Sequence, residues 1–150
     1  MLKKIFPAIV DNTYVGKKVA LWFFIPITIL TLGRSLVHIF APDGGAGSIA
    51  TIPLDAFTAN GSAAVILTFA YWGLSQLLMG LLYVLVLVKY RSLLTLMYLL
   101  LTLEYTLRFV LGRVKPIETL GTAPGAIGNL ILAPLSLLLF ILSLLPAQNK

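Results

Sequence analysis

The chain has 150 residues, of which 59% are hydrophobic and only 11% charged, with a formal net charge of +6. A soluble domain carries roughly a quarter charged residues, so an ordinary water-soluble fold is excluded, and the absence of cysteine excludes disulfides, thiolate nucleophiles and cysteine-ligated metals. The single histidine leaves no multi-histidine metal site within one chain, and the basic residues flank apolar runs as membrane proteins place them, which argues against nucleic acid as a partner.

Residues 1–18 read as an interfacial cytoplasmic segment. Their apolar part, Ile5–Val10, contains Pro7 and stops at Asp11, too short and broken for the h-region of about 7–15 residues that a signal peptide needs. Phe6, Ile9 and Tyr14 among Lys3, Lys4, Lys17 and Lys18 suit a membrane surface. A first span follows at about 19–40, bent at Pro26, then an extracytoplasmic loop over 41–61. That loop is rich in glycine and proline but holds Ile49, Ile52, Leu54 and Phe57, so it is expected to lie against the mouth of the bundle. A second span covers about 62–88. The turn Lys89-Tyr90-Arg91 is minimal and predicts a tight antiparallel hairpin with a third span at about 92–111. A fourth span, kinked at Pro134, covers about 125–145. Each run approaches or exceeds the ~20 residues that cross ~30 Å of hydrocarbon, and nothing alternates as barrel strands do. The expected fold is all-α: a polytopic membrane protein forming a single four-transmembrane-helix bundle over residues 1–150.

Charge sets the orientation. Lys3, Lys4, Lys17, Lys18, Lys89, Arg91 and Lys150 fall on one side, against Arg113 and Lys115 on the other. By the positive-inside rule both termini are cytoplasmic. The expected location is the bacterial inner (plasma) membrane.

In lipid the ionisable residues are the ones that need a reason. At ~1.5 Å per helical residue, Arg34 lies roughly 9 Å below the outer boundary, His38 roughly 3 Å, Arg108 about 5 Å, Glu104 about 11 Å, Asn129 about 6 Å and Tyr71 about 13 Å. These six form the candidate ligand-binding set in the outer half of the bundle; Gln76, at about 21 Å, is set aside as too deep. Glu104 and Arg108 are four apart on one helix face, acid first, the better order for an ion pair. Glu104 is too short to snorkel, so it must be paired or protonated. One positive charge then remains, on Arg34. Asp43 folding back, an anionic ligand, or snorkelling to the surface would each meet it. Gly44-Gly45-Ala46-Gly47-Ser48 is either a flexible connection or an anion-binding nest of backbone amides. Gly73 and Gly80, and separately Gly125, Ala126 and Gly128, are expected to admit close helix packing.

No catalytic residue, metal site or cofactor is expected. The leading reading is a small integral membrane protein that binds a lipid or small amphiphilic or anionic ligand. Its polar end would rest at Arg34, Arg108 and Asn129, with Tyr71, Trp72 and Tyr105 as amphipathic walls. The partners are then membrane lipids, such a ligand, and a homo-oligomer or larger membrane complex. A second reading is a non-catalytic accessory subunit whose ion pairs lock helices together. A third is a membrane enzyme or proton-coupled carrier that uses Glu104 with His38.

Overall fold

The computed structural model describes residues 2–147; Lys150, which enters the charge count, lies outside them. A short α1 (Leu2–Ile5) precedes four long helices: α2 (Lys18–Phe40), α3 (Ala59–Lys89), α4 (Leu94–Val114) and α5 (Pro124–Leu144). All four long helices are long and apolar enough to cross a membrane, which by length and composition makes this an integral membrane protein. The described residues contain no strand, only an isolated bridge between Gly16 and Pro146.

The boundaries have local causes. Thr58 accepts the Gly61 N–H at 3.2 Å and starts α3 ahead of its apolar run, on the otherwise poor helix formers Asn60 and Gly61. Pro124 opens α5, where its missing N–H costs nothing. Within the helices hydroxyls bond carbonyls one turn back: Thr28 to Phe24, Thr31 to Ile27, Ser35 to Leu32 and Ser136 to Ala133. They satisfy themselves in an apolar medium and need no partner helix.

Between helices in lipid, close packing and hydrogen bonds replace the hydrophobic drive. α2 packs along α3, α4 packs along α5, and α2 also meets α5. Phe24 sits at the centre, with its ring edge-on to Tyr83 and Tyr98 at centroid distances of 5.0 and 5.2 Å. The Tyr98 hydroxyl donates to the Ala20 carbonyl at 2.6 Å and so ties α4 to α2. The expected tight hairpin of the second and third spans is not what forms. The turn is short, a 3₁₀ step over Arg91–Leu93, but α3 and α4 have little direct contact. Tyr83, Val86, Leu94, Met97 and Tyr98 belong to the buried core near the turn, and farther from it polar and aromatic side chains stand between the two helices.

Gly73 and Gly80 do admit close packing. A Cβ on Gly73 would lie 2.7 Å from the His38 Cβ and 3.0 Å from the Ser35 carbonyl oxygen, and one on Gly80 would lie 2.7 Å from the Leu32 Cδ2. Gly125 and Gly128 meet nothing within 4 Å. Gly73→Ala should therefore destabilise the bundle by about 1–3 kcal/mol, because its clash is partly with backbone. Gly33→Ala, where a Cβ meets nothing within 4 Å, should be neutral or slightly stabilising. Thermal midpoints of the two variants in one detergent check this; equal shifts would contradict it.

The segment before α2 is fastened to the helix ends around it. Lys4 Nζ donates to the Leu144 carbonyl at 2.9 Å. The Asp11 N–H donates to the Ser92 hydroxyl at 3.0 Å, and that hydroxyl donates to the Asp11 carbonyl at 2.9 Å. Lys17 N–H reaches the Leu142 carbonyl and Ala147 N–H the Val15 carbonyl. Its apolar side chains Phe6, Ile9 and Val15 stay exposed.

At the opposite end the loop after α2 turns back onto the bundle, burying Ala46 and Ile52. Gly44 and Gly45 take φ of +60° and +75°, values an L side chain rarely adopts. Thr51 also has positive φ, and its hydroxyl donates to the Gly121 carbonyl at 2.9 Å while its own carbonyl accepts the Leu120 N–H at 2.8 Å. The two loops at this end are thereby joined.

Candidate functional site

A cavity of about 180 Å³ occupies the space between α3 and α4, with α2 behind it. α2 contributes Thr31 and Arg34, α3 contributes Trp72, Ser75, Gln76 and Met79, and α4 contributes Leu101, Glu104, Tyr105 and Arg108. The spacings explain the convergence. Residues 72, 75, 76 and 79 follow the i, i+3, i+4, i+7 pattern of one helix face, and 101, 104, 105 and 108 repeat it.

Trp72 is the hub. The Arg108 Cζ lies 4.7 Å from its ring centroid and the Arg34 Cζ 5.6 Å, both within cation–π range. With the Gln76 amide turned so that its oxygen faces the donors, it accepts the Trp72 indole N–H at 2.9 Å and Arg108 Nη2 at 3.2 Å. Arg108 also forms an ion pair with Glu104 through Nη2 and Oε1. The Arg108 and Glu104 side chains keep 20% and 38% of their surface exposed, so the cavity is not sealed.

Of the six sequence-predicted residues, Arg34, Glu104 and Arg108 line this cavity together. His38 sits one turn beyond Arg34 and does not line it. Only 6% exposed, its ring stacks on Trp72 at 4.5 Å between centroids, and its Nδ1 lies 2.7 Å from the Gly44 carbonyl. A carbonyl only accepts, so Nδ1 is the donor in this contact. Trp72 contacts both His38 and Arg108, and among the described residues no hydrogen bond joins His38 to Glu104. Tyr71 is 63% exposed and turned away from the cavity, while its neighbour Trp72 faces it. Asn129 lies on α5, which supplies no lining residue. Trp72 and Tyr105, expected as walls rather than as ligand contacts, line the cavity, and so does Gln76, which the depth estimate sets aside.

Asp43 does not pair with Arg34. Its carboxylate accepts N–H groups from Gly45 at 2.8 Å, Gly47 at 3.1 Å and Ser48 at 2.6 Å, and the Ser48 hydroxyl at 3.1 Å. The glycine loop is thus a nest, and the anion in it is the chain's own. Among the described residues Glu104–Arg108 is the only ion pair, so Arg34 has no carboxylate partner among them.

No protein-family model, curated protein or solved structure matches this chain. The geometry alone therefore carries the functional reading.

The Asp43 nest has a pH consequence. The Ser48 N–H foremost, then the Gly45 N–H and the Ser48 hydroxyl, hold this carboxyl below its ordinary value of 3.8. A depressed folded-state pKa contributes order that is fully present above the ordinary value and lost as pH falls through the depressed one. Amide protection at Gly45, Gly47 and Ser48 should be high near neutral pH and fall below about pH 4. In Asp43→Asn it should be low at both pH values; undiminished protection in that variant would contradict the assignment.

Proposed function

We propose that this protein binds a small anionic amphiphile in the membrane, with the ligand's charged end at Arg34 and Arg108 and its apolar part against the hydrocarbon-facing sides of the helices. The observation that carries this reading is the Arg34 guanidinium, which has no ion-pair partner among the described residues, in a cavity whose only acid, Glu104, is already engaged by Arg108. A guanidinium left unpaired in a low-dielectric region is costly, and an anion would remove that cost. The aromatic faces of Trp72 and Tyr105 supply amphipathic walls. The basic residues Lys3, Lys4, Lys17, Lys18, Lys89 and Arg91 support a cytoplasmic placement for the end that carries both termini. The site then faces the extracytoplasmic half of a bacterial inner membrane.

Native mass spectrometry after gentle extraction tests this. The wild type should retain an added mass that Arg34→Ala and Arg108→Ala lose. A wild type that retains none counts against binding.

A second reading, self-association or membership in a larger membrane complex, draws on a different observation. Gly112, Gly125 and Gly128 near the loop-facing ends of α4 and α5 have open space where a Cβ would point, which leaves room for a neighbouring helix. Stable co-purification of a polypeptide, lost on Gly128→Leu, would favour it.

A further inference from the structure

We propose that Glu104 sets the charge of the ligand, so that the cavity takes a singly charged oxyanion headgroup and rejects a doubly charged one. This rests on the anion-binding reading above and adds the ligand's charge class and the residue that selects it. Arg34 and Arg108 supply two positive charges to the cavity and Glu104 one negative, a local sum of +1. No other carboxylate enters that sum: the cavity lining contains no other acid, and Asp43 is held by its own loop. Both guanidiniums line one small cavity with Glu104, and each lies within 6 Å of the Trp72 ring centroid, at 4.7 and 5.6 Å, so an anion that enters the cavity meets both of them and the carboxylate.

A monoanion brings the local sum to zero. A dianion leaves it at −1 and sets its second charge beside the Glu104 carboxylate, where like charges in a poorly solvated site repel strongly. Glu104 thus acts as a resident competitor: it occupies Arg108 and leaves Arg34 as the vacant pole. Size points the same way. About 180 Å³ is below the ~300–1,000 Å³ of sites that enclose whole drug-sized ligands, so a headgroup enters and an attached chain stays outside. The planar guanidinium fork matches the paired oxygens of a carboxylate or a phosphodiester, and the two sources differ in the probes used below.

The test is equilibrium binding to purified full-length protein in a nonionic detergent near pH 8, where an alkyl phosphate carries about two negative charges. The probes are octanoate, a short-chain phosphatidylglycerol and octyl phosphate. The wild type should bind octanoate or phosphatidylglycerol roughly tenfold or more tightly than octyl phosphate, the better of the two monoanions identifying the source. Glu104→Gln, which keeps an oxygen for Arg108 and removes the charge, should shift that ratio toward octyl phosphate by roughly tenfold or more. Arg34→Gln should lose affinity for all three probes. Equal wild-type affinity for octyl phosphate and the monoanions overturns charge selection and leaves anion binding standing. An unshifted ratio in Glu104→Gln overturns the role of Glu104. Binding of no probe by the wild type removes both the selection and the reading beneath it. The wild-type ratio decides even if Glu104→Gln does not fold.

Discussion

Arg34→Leu is expected to yield a protein that is more heat-stable than the wild type after exhaustive delipidation, and unable to hold an anion. A charged side chain in a spanning helix costs about 2.5–3.5 kcal/mol by insertion measurements. Arg34 recovers part of that through the Trp72 ring 5.6 Å away, a contact of about 0.5–2 kcal/mol. No carboxylate among the described residues forms an ion pair with it, and Glu104 acts on it only from longer range. Replacing the guanidinium by an apolar side chain should therefore stabilise the unliganded bundle by about 1–2 kcal/mol. The sign separates two accounts of the same residue. If Arg34 were a structural lock, its loss would destabilise. If it is held ready for a ligand, its loss stabilises the empty protein and ends binding. The thermal midpoint of delipidated protein and the retained mass in native spectra, read on the same samples, give both halves of the result.

Glu104→Leu is expected to move stability the other way, by about 2–3 kcal/mol, because removing one partner of a poorly solvated ion pair strands the other charge. The partial exposure of Arg108 and Glu104, 20% and 38%, lets solvent screen the stranded charge and places the loss at or just below the lower end of the ~3–5 kcal/mol range for buried pairs. The stranded Arg108 would keep the Trp72 face and the Gln76 oxygen, neither of which carries charge, and would stand near Arg34 with nothing negative between them. Adding Arg108→Leu to Glu104→Leu should restore most of the loss, to within about 1 kcal/mol of the wild type, because an ion pair exchanged for good packing is often neutral. A double-mutant cycle of denaturation midpoints measures the coupling. Additive losses would show that the two side chains do not depend on each other.

Much of the helical frame was legible because apolar runs bounded by charge or turn residues leave the backbone no other way to satisfy itself in lipid. The rotation of each helix was harder to read, and it decides the site. Tyr71 and Trp72 are adjacent and differ by ~100° in direction; a depth estimate treats them as equals, and only Trp72 faces the cavity. The signal lay in Gly73 and Gly80, which mark the side of α3 that meets α2. Depth counted from Ser62 puts Gln76 too far from the outer boundary. But α3 has 31 residues, and at ~1.5 Å each it runs to about 46 Å, longer than ~30 Å of hydrocarbon, so distance from its first apolar residue is not a measure of depth. Asn129 shares a depth with the site but lies on α5, which lines no part of it. Charge complementarity alone makes Asp43 a candidate partner for Arg34. The amides of Gly45, Gly47 and Ser48, two to five residues away, reach it first.

The most direct measurement is the emission of Trp72 alone, in a Trp22→Phe background; Trp22 is 67% exposed and lies outside the cavity lining. Titrating octanoate should change that emission along a saturable curve, since the anion would settle beside both guanidiniums that face the indole. Octanol, equally long and uncharged, should not produce that curve, and Arg34→Leu should abolish it. An identical response to octanol, or a saturable octanoate response that survives Arg34→Leu, would contradict an anion site built around Arg34.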